Sequence, residues 1–317
     1  TAINTCVDFD ENDKYLTLAA AAVLVVTVII LICLVIGEQR NKKLNDELAS
    51  QHTTVITSET APPVTTVTEE TTVTTAPPPL VLLDSMKSFV DENPDTAGWI
   101  KVGGTYIDNV VVQTENNSDY LDRNFYGQKA QPGTVFADYR CNVNDYDDNQ
   151  SKNIILYGHN QRDGTMFGTL SYYKVKPSSG STKGFDFYVN HPTFEFSNLY
   201  EEYTYKIIAA FVIEVEPQHT RDGIIFDYHN YINFGKSRPF DSFRENILKH
   251  TAINTCVDFD ENDKYLTLST CSNEFEPSRF VVIGRRVRDG ESAEVDTTLA
   301  SVNYEAKEPD YSFIYNQ

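Results

Sequence analysis

Residues 265–287 read YLTLSTCSNEFEPSRFVVIGRRV: an apolar run ending on Cys271, a polar turn, and a second apolar run opened by Arg279. Tyr, Leu, Thr, Val, Ile and Phe suit a pleated, half-buried surface, whereas Asn and Pro interrupt one, so the segment predicts two strands and a loop. Similar short runs precede it: YIDNVVVQ (106–113), GTVFADYR (133–140), NIILYGHN (153–160), FDFYVN (185–190) and TYKIIAAFVIEVE (204–216). Seven or eight such strands, separated by Gly, Asn, Asp and Pro, predict a mainly β domain, either a closed barrel or a sandwich, with helices attached. One helix is expected in SMKSFVDEN (85–93) before the turn at Pro94, and another over Pro239 to His250 with Asp241 or Ser242 as cap.

Cys271 stands where its strand ends, between small hydroxyl residues, which suits a reachable thiol; the competing reading is a small buried hydrophobe. His159 also follows an apolar strand, in NIILYGHN, with Gly158 and Asn160 marking the turn. Of the other histidines, His52 falls in a Thr-rich stretch, His250 near a helix C-terminus, and His191, His219 and His229 in polar loops. Each of these is expected at the surface. Arg279 offers a planar, permanently charged donor able to hold a carbonyl or a developing oxyanion, with Arg285 and Arg286 as rivals.

The chain has 317 residues, with 26 Lys and Arg against 46 Asp and Glu, a net charge of -20 that argues against a nucleic-acid partner. Its five cysteines (Cys6, Cys33, Cys141, Cys256, Cys271) are neither dense nor at metal spacing, so no metal and no cofactor is expected. Two acidic loops, Asp258/Asp260/Asn262 and Asp145/Asp147/Asp148, read as solvated rather than calcium-binding. The first lacks the Gly and the closing Glu of an EF-hand.

Residues 1–18 repeat 251–268 letter for letter, which points to a duplication or an artefact of assembly, and no function is expected of that copy. Residues 19–36, AAAAVLVVTVIILICLVI, carry no charge and read as one transmembrane anchor. Residues 37–83 read as a stalk, Thr- and Pro-rich from Gln51 to Pro79 and too poor in large apolar groups to fold. Arg40, Lys42 and Lys43 follow the apolar run, which taken literally places the remainder in the cytoplasm. The foreign look of the upstream flank and the stalk composition argue for an extracellular domain instead. That catalytic domain is expected over 84–288, with a loose acidic tail at 289–317.

The order of His in YGHN, Cys in TLSTC and Arg eight residues on resembles the sortase family. YLDRNFYGQKAQPGTVFADYR and DKYLTLSTC followed by RFVVIGR are similar to its class B, over roughly Met86 to Arg288. The resemblance implies a closed sortase barrel with helices before it and a helical insertion before the cysteine strand. It implies Cys271 as nucleophile, His159 as acid/base partner and Arg279 as third catalytic residue, with Tyr157, Ser269 and Asn124 lining the substrate groove. It further implies a Gram-positive cell-surface cysteine transpeptidase acting on an NPQTN-like or [SN]PxTG-like C-terminal signal of secreted proteins. The acceptor would be a peptidoglycan or pilin amine. A cysteine peptidase releasing product to water and a silent surface-binding domain are the alternatives.

Overall fold

The computed structural model describes residues 11–58 and 78–316, and the chain divides into two compact units, Thr1–Leu44 and Asn45–Gln317. The expectation for residues 1–10 and for the Pro-rich part of the stalk, 59–77, lies outside the described residues. Helix α1 (Glu11–Ser58) supplies the described part of the first unit. Its apolar side chains from Leu18 to Ile36 are exposed, and it is long and apolar enough to cross a membrane.

The second unit is built on a closed eight-stranded barrel. Its strands are β1 (Thr96–Lys101), β2 (Asp108–Val112), β3 (Val135–Ala137), β4 (Asn153–Tyr157), β5 (Thr193–Ser197), β6 (Glu202–Glu214), β8 (Tyr265–Cys271) and β9 (Ser278–Arg286). The short strand β7 (Ile253–Asn254) lies outside the barrel and pairs with β10 (Ser301–Val302). Around the barrel the order is β1-β2-β3-β4-β8-β9-β6-β5, closed by the β5–β1 pair. Only β2–β3 and β4–β8 run parallel.

The helices are α2 (Asp84–Glu92), α3 (Lys183–Asn190), α4 (Phe240–His250) and α5 (Tyr311–Ile314). The inner core joins Ile100, Val111, Ile155, Leu156, Phe194, Phe196, Leu268 and Val282. A second cluster lies outside the wall, where α4 lays Phe243 and Ile247 against Phe211 and Ile213 of β6 and Val281 and Ile283 of β9. Covering both faces explains why β6 and β9 read as nearly continuous apolar runs rather than alternating ones. No side chain caps α4: its N-cap is Pro239, and neither Asp241 nor Ser242 takes that role.

Five expectations fail for tertiary reasons. FDFYVN is not a strand but the body of α3, and the strand is the next segment, TFEFS, whose Phe194 and Phe196 alternate inward. The aromatics of α3 gather against one neighbour, with Phe187 edge-on to Tyr173 at 4.8 Å, a helical use of residues with strand preference. The stalk's first part is helical to Ser58, and His52 is buried, stacked on Trp99 at 4.1 Å. That flat apolar partner comes from 47 positions along the chain and leaves no local trace. The tail is not loose either: Glu291 pairs with the fully buried Arg285 and with Lys206 at 2.7 Å, and β10 pairs with β7. His250, expected at the surface, is also buried, its Nδ1 donating to the Asn246 carbonyl at 2.8 Å.

Candidate active site

Two strand pairings assemble one mouth of the barrel. Antiparallel β8–β9 pairing sets Cys271 directly opposite Arg279. Parallel β4–β8 pairing sets Tyr157 beside Ser269, so the two residues that follow each run side by side. The alignment continues past the strand ends. Gly158 N–H donates to the Ser269 carbonyl (3.2 Å), Thr270 Oγ1 donates to the Gly158 carbonyl (2.7 Å), and Asn160 Nδ2 donates to the Cys271 carbonyl (2.8 Å). Gly158 has to be glycine here, because a Cβ would lie 2.7 Å from the Phe167 ring.

A cavity of about 240 Å³ opens at this mouth, lined by Asn117, Leu121, Phe136, Tyr157, Gly158, His159, Ser269, Thr270, Cys271 and Arg279. Five of the six predicted site residues meet there. Asn124 does not: its side-chain carbonyl accepts from the N–H groups of Tyr126 and Gln128, closing its own turn. Asn117 and Leu121, on the same loop, line the cavity instead. Nothing in spacing or composition separates one loop asparagine from another seven residues away.

Along β8 every residue from Tyr265 to Thr270 is buried and Cys271 is exposed, so the thiol sits where the strand leaves the core. Arg279 donates to the Ser278 carbonyl (3.0 Å), and no carboxylate pairs with it among the described residues. Its rivals are engaged: Arg285 pairs with Glu291, and Arg286 bonds Asp147 at 2.6 Å. The guanidinium at 279 is thus the one left to meet charge in the cavity. His159 donates Nε2–H to the Leu121 carbonyl (2.8 Å), which in the neutral ring leaves Nδ1 as the bare nitrogen.

Behind these groups lies a polar layer that the sequence does not announce. The Tyr157 hydroxyl donates to the fully buried Asp138 carboxylate (3.0 Å), as does Asn117 Nδ2 (3.1 Å), while Arg140 grips both carboxylate oxygens at 2.9 and 2.8 Å. Burial opposes ionisation of Asp138, but the Arg140 bonds outweigh it and hold its pKa below the usual carboxylate value. Tyr228 is buried with its hydroxyl 2.7 Å from Ser269 Oγ. Burial raises the pKa of both Tyr157 and Tyr228, so both phenols keep their protons; Tyr157 donates to Asp138, and in the Tyr228–Ser269 pair either hydroxyl can donate. The two acidic loops are held by arginine: Arg288 bonds Asp258 and Asp263 at 2.6 Å, and Arg286 bonds Asp147. All described cysteines are free. Cys141 is buried, and its thiol is pushed up to about 12 by burial.

Sortase B of Listeria monocytogenes is 32% identical over 206 residues, covering 64% of this chain and 74% of that protein. Sortase B of Staphylococcus aureus is 29% identical over 198 residues, covering 62% and 72%. Among solved structures, a mutant form of Clostridium perfringens sortase B matches with a TM-score of 0.53 and 27% identity over 65% of this chain and 87% of that one. No family model matches the chain. The barrel and these relatives together define a cysteine transpeptidase. The chain belongs to the class B sortases.

Proposed function

We propose that this chain is a membrane-anchored class B sortase that cleaves an NPxT-type signal near the C-terminus of a secreted protein after its Thr. It then passes the acyl group to an amine of the cell wall or of a pilin. In this reading the Cys271 thiolate attacks the Thr carbonyl carbon, the C–N bond breaks, and imidazolium His159 gives its proton to the leaving amine. Arg279 offsets the charge that develops on the carbonyl oxygen. The thioacyl carbon is then attacked by the incoming amine, which loses its proton to His159 as the C–S bond breaks and the thiolate returns. Tyr157 and Ser269 line the groove for the signal.

The observation that carries the reading is the strand register: Cys271 opposite Arg279, with His159 two residues past the end of the parallel neighbour and all three on one cavity. It is further supported by a Staphylococcus aureus sortase B–substrate complex that shares the fold, with a TM-score of 0.58. Residues 19–36 of α1, apolar and exposed, are the proposed anchor of a single-pass protein with its barrel outside the cell of a Gram-positive bacterium.

The test is to incubate the full chain in detergent with an NPQTN peptide, with and without triglycine, and to follow products by mass spectrometry. Transpeptidation predicts a Thr–Gly ligation product that depends on triglycine and on Cys271. Release of free acid alone, unaffected by triglycine, would make the enzyme a peptidase.

A further inference from the structure

The loop 272–277 joins the strand that ends on Cys271 to the strand that opens near Arg279, so its shape governs how thiol and guanidinium face each other. Its fixed point is Glu274, whose side chain is only 8% exposed. Lys176 pairs with that carboxylate at 2.8 Å and Lys174 at 3.4 Å, and Lys174 Nζ also donates to Ser272 Oγ at 3.2 Å. Burial opposes the charge on Glu274, but the Lys176 and Tyr311 bonds, with Lys174 nearby, hold its pKa below the ordinary value. The remaining grip comes from beyond the barrel. Tyr311 donates its hydroxyl to the Glu274 carboxylate, and Tyr315 donates to the Glu274 carbonyl. The Tyr311 ring packs edge-on to Phe275 at 6.1 Å and lies under Lys176 at 5.6 Å.

The segment that delivers these two phenols is fastened along its length. β10 pairs with β7, Asn303 Nδ2 donates to the Thr251 carbonyl (2.9 Å), and Lys307 N–H donates to the Lys249 carbonyl (2.8 Å). Near the end Asp310 meets Arg221 at 2.6 Å, and Arg221 lies over the Phe313 ring at 5.0 Å. Such a chain of attachments, ending on the one buried carboxylate between the two groups, is more than a cover for apolar surface.

We propose that residues 301–316 form a strap that sets the conformation of the 272–277 loop, with Tyr311 and Tyr315 as positioning residues that hold Glu274 and, through it, the alignment of Arg279 with Cys271. The proposal rests on the reading that Cys271 and Arg279 carry the reaction. Loss of the two hydroxyls leaves the lysines on Glu274 but frees the loop main chain. The consequence falls on the acyl-transfer step rather than on signal binding, because, among the described residues, Tyr157 and Ser269 make no bond to this loop's Glu274.

The test uses the full chain in detergent and the double variant Tyr311→Phe/Tyr315→Phe, which keeps both rings. With an NPQTN peptide and triglycine, kcat is expected to fall by about 5- to 20-fold, with KM within twofold and little change in the unfolding midpoint. Asn303→Ala, which removes one fastening of the same strap away from the loop, is expected to lower the midpoint and to cost kcat less than the double variant does. A readout independent of the peptide is alkylation by iodoacetamide, mapped by mass spectrometry. The rate at Cys271 should change at least threefold in the double variant while that at Cys256 stays constant. Wild-type kcat together with wild-type alkylation of Cys271 in the double variant would overturn the strap, and a larger loss of kcat in Asn303→Ala than in the double variant would overturn the role of the two phenols. Activity surviving in Cys271→Ala would instead overturn the underlying assignment.

Discussion

The two sides of the catalytic mouth are held in different ways. On one side Cys271 and Arg279 are register partners on adjacent antiparallel strands, and the loop between them is gripped through Glu274. On the other, His159 lies two residues beyond the end of β4, held by one bond from its ring to the Leu121 carbonyl, with Asn160 bonding across to Cys271. Sheet register sets the main-chain positions of Cys271 and Arg279, because shifting either would break a ladder of main-chain hydrogen bonds, and leaves the facing of their side chains to the loop between them. His159 lies outside the ladder, its carbonyl accepting from Phe167 N–H (2.9 Å), and in the proposed mechanism it is the group that gives and takes a proton at two different steps. In the proposed mechanism, strand register thus holds the attacking and charge-bearing groups, and a loop holds the proton carrier.

The comparison can be broken most sharply at the rigid side. Cys271→Ala should lower turnover of an NPQTN peptide to below about a thousandth and abolish the thioacyl adduct seen by intact mass. Arg279→Lys keeps the charge but loses the planar fork, and a fall in kcat of about 10²-fold is expected. Arg285→Lys, three register positions further along the same face, should instead leave kcat in place. It should cost about 1–3 kcal/mol of stability in chemical denaturation, because the fully buried Arg285 loses its forked bonds to the partly exposed Glu291.

The loop side is probed by Asn160→Ala, which removes the bond to the Cys271 carbonyl. A loss of about 1 kcal/mol, or roughly fivefold in kcat/KM, is expected in steady-state assays. Acid sensitivity sharpens the contrast between site and scaffold. Burial lowers the pKa of His250 to about 4, so the unfolded chain takes up a proton first as pH falls below about 6.5. Stability from this group is therefore complete above about pH 6.5, declines as pH falls toward 4 and levels off below that. His52, lowered to about 4 by burial as well, adds to the same slope. Denaturation midpoints at pH 7 and pH 5 should differ by the equivalent of about 1–2 kcal/mol less in His250→Phe than in the wild type. The smallest effect belongs to Asn124→Ala, whose turn is local, with activity expected within twofold of wild type.

How much could be read in advance follows from the range of each interaction. The strands around Cys271, His159 and Arg279, the helix before the barrel and the helix before the cysteine strand are all visible as local patterns of apolar residues and breakers. FDFYVN misleads because aromatic residues favour a strand in general, whereas here Phe187 packs edge-on to Tyr172 and Tyr173 from a helix. Asn124 and Asn117 are alike in composition, and the difference is where one loop meets the end of β4.

By itself, then, the sequence determined a mainly β domain behind an apolar span, and a thiol, an imidazole and a guanidinium each at the edge of a strand, since these depend on neighbours a few residues away. Tertiary structure alone decided that β4 lies parallel to β8, that Asp138 and Tyr228 stand behind the groove, that His52 is buried on Trp99, and that the C-terminal segment reaches back to Glu274. Those contacts join residues tens to more than a hundred positions apart. Their energy comes from burial and from pairing that exist only once the barrel has closed, so no local pattern can encode them.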